Sequence, residues 1–85
     1  MEIKLEDLKV APVYAQVRQQ IETHIRNKQV ASGEALPSLA SLAQKLSVDK
    51  GEIQRAYYEL ERSGLIRKTT TRDFLGKEKV TYTVS

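Results

Sequence analysis

The chain has 85 residues, of which 40% are hydrophobic and 29% are charged, and it contains no cysteine. A chain of this length encloses one modest core, so we expect a single domain over residues 1–85. The lack of cysteine excludes disulfides, zinc–thiolate sites and thiol catalysis, and it favours a cytoplasmic location. The formal net charge of +3 favours a polyanionic partner.

Several classes of function find no support in the residues. No stretch approaches the length of a membrane span, and the charged start lacks the apolar run of a signal peptide, so we expect no membrane contact. His24 has no neighbour at metal-ligand spacing, which predicts a structural or interfacial role and no metal. No paired acid and base, Ser-His-Asp arrangement or glycine-rich phosphate loop can be assembled. We therefore predict a protein that is not an enzyme and has no cofactor.

The first part of the chain predicts an arm followed by a helix. Residues 2–9 alternate roughly between apolar and charged, which is typical of a short strand or an extended arm. Pro12 suits a first helical turn, and apolar residues follow it at four-residue steps: Val13, Val17, Ile21 and Ile25. This spacing predicts an amphipathic helix over about residues 12–28. Gly33 and Pro37 then mark a connector.

Two further helices are predicted after the connector. Ser38 is placed to cap a short helix over about residues 38–46. After a turn at Ser47, Asp49 and Glu52 have the three-residue spacing of a reciprocal capping box. The core face of this third helix is marked by apolar residues at helical spacing: Ile53, Ala56, Tyr57 and Leu60. Gly64 is expected to end the helix as a left-handed cap.

The end of the chain predicts a β-hairpin. Residues 65–71 and 79–84 are rich in Thr, Val, Ile and Tyr, and Gly76 lies in the turn between them. Three helices with a short second turn, followed by a hairpin, are the element order of a winged helix-turn-helix, an α+β fold. In such a fold the third helix suits the major groove of DNA, and the hairpin lies beside it on the backbone or minor groove.

Three motifs resemble the GntR-type winged-helix regulators, and within them the YtrA-like branch. The motifs are PVYAQV at 12–17, SGEALPS at 32–38 with Leu42-Ala43, and AYYELERSGLI at 56–66. The resemblance extends over about residues 10–67. It implies a dimeric regulator whose third helix contacts operator DNA, with the second helix and the wing on the backbone.

The chain departs from the family pattern at positions expected to face DNA. Ala40 stands where the family usually has Arg, so a side chain able to pair with phosphate or guanine is missing. The third helix starts with Asp49, Lys50, Gly51 and Glu52, of which only Lys50 keeps a positive charge. Residues 72–79 replace the family's Gly-x-Gly wing tip. No family-type effector domain follows, so we expect no small-molecule effector.

The outward side of the third helix carries the candidate base contacts. Helical geometry turns four of its residues away from the core and places Lys50 and Gln54 on one flank near the N-terminal end; the four are Gly51, Arg55, Tyr58 and Arg62. Arg55 can pair with guanine and Gln54 with adenine, whereas Lys50 suits a phosphate. Gly51 permits close approach of the backbone to a groove.

The same side chains have a structural alternative. Arg55, Tyr58 and Arg62 can form an ordinary solvated helix face paired with Glu59 and Glu61. Three tyrosines lie in the predicted helices: Tyr14, Tyr57 and Tyr58. We expect them to pack in the core or in a subunit contact and not to stack on bases.

The hairpin and Ser38 supply the candidate backbone contacts. Five cations against two acids give the hairpin a local charge of +3: Arg67, Lys68, Arg72, Lys77 and Lys79, with Asp73 and Glu78. Of these, Arg72, Lys77 and Lys79 are the predicted wing contacts to phosphate. The alternative is protection of exposed strand edges by lysine. Ser38 is a helix cap first and a phosphate contact second.

These observations favour a cytoplasmic homodimer that binds a two-fold symmetric operator in double-stranded DNA and acts as a transcriptional repressor. The N-terminal arm and the first helix are the expected dimer surface. The alternative is a winged-helix protein–protein interaction module that has lost its DNA contacts, which Ala40, Gly51 and Glu52 would permit.

Overall fold

A computed structural model describes residues 2–5 and 11–85. These residues form three helices followed by two strands: α1 (Val13–Arg26), α2 (Leu39–Leu46), α3 (Lys50–Arg62), β1 (Ile66–Arg72) and β2 (Glu78–Val84). The predicted winged helix-turn-helix order is therefore confirmed, and the bounds of the elements shift by one or two residues. Among the described helices, none combines the length and apolar content needed to cross a membrane.

Local sequence signals fix the ends of the helices. Pro12 is the N-cap of α1, which begins one residue later than predicted and ends before Lys28, whose φ is +59°. The Ser38 hydroxyl accepts a hydrogen bond of 3.1 Å from the Ser41 N–H, as a cap should. Gly64, at φ +79°, ends α3 in a left-handed conformation that costs glycine little. The predicted caps at Ser38 and Gly64 are confirmed.

The predicted capping box at the start of α3 is only half correct. The Asp49 carboxylate accepts from the Gly51 N–H at 3.1 Å, so Asp49 is the cap. The Glu52 carboxylate instead accepts from the Tyr14 N–H at 3.0 Å. Tyr14 lies in the first turn of α1, where backbone N–H groups lack helical partners and Pro12 offers no side-chain cap. Glu52 therefore satisfies a neighbouring helix, and α1 and α3 are joined at their N-terminal ends.

The predicted connector marked by Gly33 and Pro37 contributes to the sheet. β1 and β2 form an antiparallel hairpin, and residues 33–36 run along the free edge of β2. The Leu36 N–H donates to the Tyr82 carbonyl at 2.8 Å, and the Val84 N–H donates to the Glu34 carbonyl at 2.9 Å. Thus the base of the hairpin is held on both sides, whereas residues 67–80 project beyond the core and are exposed.

The core lies between the three helices and the base of the hairpin. Its fully buried side chains include Val17, Ile21, Ile53, Tyr57 and Leu60, the positions that helical periodicity predicts. Tyr57 packs edge-to-face against Tyr82, with ring centres 4.9 Å apart. This contact ties α3 to β2.

The described part of the N-terminal arm lies extended against α1. Ile3 is buried in the core, and the side-chain amide of Gln20 both accepts from the Lys4 N–H and donates to the Lys4 carbonyl. The His24 Nε2 lies 2.8 Å from the Glu2 carbonyl, which gives His24 the structural role predicted for it. Residues 2–5 thus form an arm and not a strand, and residues 6–9 lie outside the described part of the chain.

Candidate nucleic-acid interface

A groove of about 330 Å³ lies between the start of α2, the start of α3 and the hairpin. Its lining residues come from all three elements: Ser38, Leu39, Ala40, Lys50, Gln54, Lys68, Val80 and Tyr82. The two ammonium groups of Lys50 and Lys68 supply positive charge, and no carboxylate stands among these lining residues. An anionic chain is the ligand that such a groove favours.

The buried Tyr57 side chain contacts two of the elements that line the groove. Its hydroxyl donates to the Pro37 carbonyl at 2.9 Å, immediately before α2, and its ring packs on Tyr82 in β2. Burial raises the pKa of the Tyr57 hydroxyl well above its usual value, with a smaller contribution from Tyr82. The neutral donor is therefore the favoured form, and one buried side chain links the elements that line the groove.

The outward side of α3 is open. Gly51, Gln54 and Arg55 are exposed, and Tyr58 is 56% exposed. Neither the hairpin nor any other described segment covers this side, because the residues of α3 that are buried are those of its core face: Ile53, Ala56, Tyr57 and Leu60. A duplex groove can reach α3 along this side.

Arg55 points along α3 toward α1 and away from the groove. Its guanidinium carbon lies 3.8 Å from the centre of the Tyr14 ring, and its Nε lies 3.5 Å from the Glu59 carboxylate. Glu59 also lies 3.3 Å from the Nε of Arg18 in α1. The structural alternative raised for Arg55, pairing with Glu59, is the arrangement present here. Arg55 would have to leave these contacts to pair with a base.

Glu52 contributes no negative charge to the groove. Its carboxylate is held by the Tyr14 N–H on the α1 side of α3, and the groove lies on the opposite side, with Lys50 and Gln54. One of the three departures thought to permit loss of DNA contacts therefore faces elsewhere. Ala40, by contrast, does line the groove, so the position where the resemblance leads one to expect an arginine carries no charged side chain there.

The wing residues are distributed over both faces of the hairpin. Arg72 pairs in register with Glu78, and their side chains form an ion pair of 2.9 Å. Lys79 lies opposite Thr71, one position along, and so projects from the other face. Lys77 and Lys79 have no ion-pair partner among the described residues, and both are exposed. The hairpin thus offers free cations to solvent.

The structure brings together only part of the predicted site. Ser38, Lys50 and Gln54 share the groove, whereas Arg72, Lys77 and Lys79 lie farther out on the hairpin. Lys68 and Val80 also line the groove but were not among the predicted contacts. The position of Lys68 in the hairpin explains its place in the groove. It pairs with Tyr82, and directly opposed residues share a face, so Lys68 lies on the face of the hairpin that Tyr82 turns toward α3.

The fold and the groove define the class of this protein: it is a winged helix-turn-helix domain, with an open third helix and a basic hairpin beside it. Residues 13–72 match the family described as bacterial regulatory proteins, gntR family. The chain therefore belongs to the GntR family, as its motifs suggested.

Individual relatives agree with this placement. The chain is 36% identical over 55 residues to the HTH-type transcriptional regulator YhcF of Bacillus subtilis (strain 168). That match covers 65% of the chain and 46% of the relative, so the chain spans about half the length of this regulator. Among solved structures, YtrA from Sulfolobus acidocaldarius, a GntR-family transcription factor, is 30% identical with a TM-score of 0.74. That superposition covers 98% of the chain and 77% of YtrA.

A structure of AraR(DBD) in complex with operator ORX1 has the same fold. It is 22% identical, with a TM-score of 0.73, and the superposition covers 100% of the chain and 96% of that protein. At this identity the likeness concerns the fold alone.

Proposed function

We propose that the chain binds double-stranded operator DNA as a transcriptional regulator, with α3 in the major groove and the hairpin on the neighbouring backbone. The observation that carries the proposal is the groove in which Lys50, Gln54 and Lys68 meet beside an uncovered α3. In the relatives, a GntR-family transcription factor and an operator-bound domain share this fold. Binding, and not catalysis, is the activity that this arrangement supports.

The contacts divide into phosphate and base contacts. Lys50 and Lys68 suit phosphates on either side of the groove mouth, and the N–H groups at the start of α2, beside Ser38, suit a further phosphate. Gln54 is exposed in the first two turns of α3 and suits adenine through two hydrogen bonds. Gly51 allows the helix backbone to approach the duplex closely, because no Cβ stands in the way.

Further contacts complete the proposed interface. Arg72, Lys77 and Lys79 add non-specific affinity along the wing. Arg55 and Tyr58 border the outward side of α3 and contact the duplex at its edge, where Arg55 must exchange its partners Tyr14 and Glu59 for DNA. The missing arginine at Ala40 leaves more of the affinity to Lys68 and the wing.

We infer further that the regulator acts as a homodimer on a two-fold symmetric site, in the cytoplasm, and represses by occupying the operator. Helix-turn-helix dimers place their third helices one helical turn apart in the duplex. The arm and α1 are the proposed dimer surface, since a depression of about 670 Å³ lies between Lys4 and exposed residues of α1 such as Gln19 and Thr23. Thr23→Arg is expected to yield a monomer in sedimentation at concentrations where the natural chain is a dimer. A dimer unaffected by Thr23→Arg would place the contact elsewhere.

The proposal is tested by the salt dependence of DNA binding. The purified chain is mixed with duplexes that it selects from a random-sequence pool, and affinity is measured over a range of salt concentrations. Lys68→Ala is expected to lower the slope of log affinity against log salt by about one, since one phosphate contact is lost. Lys45→Ala is the matched control, because Lys45 is an exposed lysine of α2 that does not line the groove.

The interaction-module alternative makes the opposite prediction. A winged helix that binds only protein shifts no duplex even at low salt, and neither lysine variant changes that result. Gly51 and Ala40 are compatible with this alternative, but the position of Glu52 on the α1 side removes one of its three supports.

A further inference from the structure

The tip of the hairpin presents two large apolar side chains to solvent. Phe74 is 95% exposed and Leu75 is 67% exposed, and neither contributes to the core. An isolated exposed apolar residue is common, but a phenylalanine and a leucine side by side at the end of a projecting element do nothing for folding. Their place requires another explanation.

The turn that carries them is built to hold this arrangement. The Asp73 carboxylate accepts from the N–H groups of Leu75 and Lys77, at 2.9 and 3.0 Å. The Gly76 N–H donates to the Asp73 carbonyl at 3.0 Å, and Gly76 has φ +80°. These bonds fix a three-residue loop of the kind that ends in a left-handed glycine. Phe74 and Leu75 are therefore displayed by an ordered turn, which lowers the entropy cost of binding through them.

Charge and reach indicate what the tip contacts. Lys77 and Lys79 follow the apolar pair and have no ion-pair partner among the described residues, whereas Arg72, on the face opposite Lys79, is paired with Glu78. Free cations beside a thin apolar edge suit a minor groove, which has base edges at its floor and a phosphate strand along each wall. From Tyr82 at the groove to Lys77 just beyond the start of β2, five steps along extended chain span about 17 Å, half of the roughly 34 Å helical repeat of DNA. That is the step from a major groove to the adjacent minor groove.

We propose that Phe74, supported by Leu75, is an apolar wedge that enters the minor groove beside the α3 contact and partly unstacks one base step. The proposal rests on the DNA-binding function proposed above and adds to it a site of shape-dependent recognition. Apolar side chains inserted between base pairs kink a duplex, and pyrimidine–purine steps yield most easily. The wedge would thus select a flexible step about half a helical turn from the bases that Gln54 contacts.

The test uses the whole chain and duplexes that the natural chain selects from a random-sequence pool. 2-Aminopurine, whose fluorescence rises when its stacking is lost, replaces a base at successive positions along the selected duplex. The variants are Phe74→Ser, Phe74→Ser combined with Leu75→Ser, and Phe74→Met, which keeps an apolar wedge. Thr69→Ala is the control, because Thr69 is exposed on the same hairpin but lies away from the tip.

If the wedge exists, one step in the minor groove gains fluorescence on binding of the natural chain. Phe74→Ser abolishes that signal and lowers affinity about tenfold, the order expected for one stacked base. The salt slope stays unchanged because no cation is lost, and Phe74→Met restores most of the affinity.

Three outcomes overturn the wedge. If the double serine variant binds as tightly as the natural chain, with the same fluorescence, the tip does not insert, and the proposed function stands without it. If the serine variants instead change the oligomeric state and leave DNA affinity intact, the tip contacts a second copy of the chain. If the natural chain selects no duplex at all, the proposed function fails and the wedge with it.

Discussion

The guanidinium carbon of Arg55 lies 3.8 Å from the centre of the Tyr14 ring, so a cation of α3 stacks on an aromatic side chain of α1. The Arg55 side chain is 60% exposed, and such partly exposed cation–π contacts contribute about 0.5–1 kcal/mol. We expect a double-mutant cycle of Tyr14→Leu and Arg55→Ala, measured by urea denaturation, to give a coupling energy of that size.

The control for this cycle is Arg62→Ala combined with Tyr14→Leu. Arg62 lies near the Tyr58 ring, at 5.9 Å, so its effect should simply add to that of Tyr14→Leu. Strict additivity for the Arg55 pair as well would show that the stacking contributes nothing to stability.

Glu52 is predicted to stabilise the fold and not to oppose DNA binding. Because its carboxylate accepts from the Tyr14 N–H at the start of α1, Glu52→Gln should lower the free energy of unfolding by about 1 kcal/mol. Glu52→Gln should change the affinity for a duplex by less than the same substitution would at a glutamate that faces the DNA. Glu34→Gln, at an exposed position of the connector, is the matched control for both measurements. A tighter duplex complex with Glu52→Gln at unchanged stability would place Glu52 at the interface.

Tyr57 is predicted to make stability depend on pH in the alkaline range. Its pKa is raised in the folded chain by burial, so the folded state keeps this proton where the unfolded state loses it, above its ordinary value of about 10. The contribution is fully present below that value, and stability falls as the pH rises beyond it. In the natural chain the free energy of unfolding falls by up to about 1.4 kcal/mol per pH unit in this range, and Tyr57→Phe removes that dependence. The same substitution also removes the hydrogen bond to the Pro37 carbonyl, which lowers the free energy of unfolding at neutral pH by about 1 kcal/mol.

Urea denaturation from about pH 9 to about pH 11 measures the effect of Tyr57. Tyr58→Phe is the control, because it removes a hydroxyl from the neighbouring tyrosine, which is 56% exposed. Parallel profiles for the natural chain and Tyr57→Phe would contradict the prediction.

Gln54 is predicted to determine specificity at one base pair. Gln54→Ala should lower affinity for the selected duplex by about 1–3 kcal/mol and relax the preference for adenine at a single position, without changing the salt slope. Gln44→Ala is the control, because Gln44 is exposed on α2 but does not line the groove. A loss spread evenly over all sequences would instead indicate that Gln54 contacts the backbone.

Many features of the fold followed from neighbours in the chain. The four-residue steps of α1 and the apolar spacing of Ile53, Ala56, Tyr57 and Leu60 identified the buried faces, because helical periodicity depends on local geometry alone. Ser38 and Gly64 marked helix ends for the same reason: their partners lie within a few residues. The outward side of α3 followed as the complement of its core face.

The contacts between elements could not be predicted from neighbouring residues in the chain. Glu52 has the spacing of a capping box with Asp49, yet its partner is the N–H of Tyr14, 38 positions away. The carboxylate binds there because that N–H, at the start of α1, has no partner within its own helix. Residues 33–36 have the marks of a connector, but an open edge of β2 supplies them with hydrogen-bond partners.

By itself, the sequence determined the order of elements, their caps, their buried faces and the excess of positive charge, since each depends on residue type and spacing along the chain. Only the tertiary structure decided which cations stand together. Lys68 joins Lys50 and Gln54 because packing of Tyr57 against Tyr82 places the base of the hairpin beside the start of α3. Arg55 turns to α1 because the ring of Tyr14 and the carboxylate of Glu59 offer its guanidinium a lower free energy there than water does.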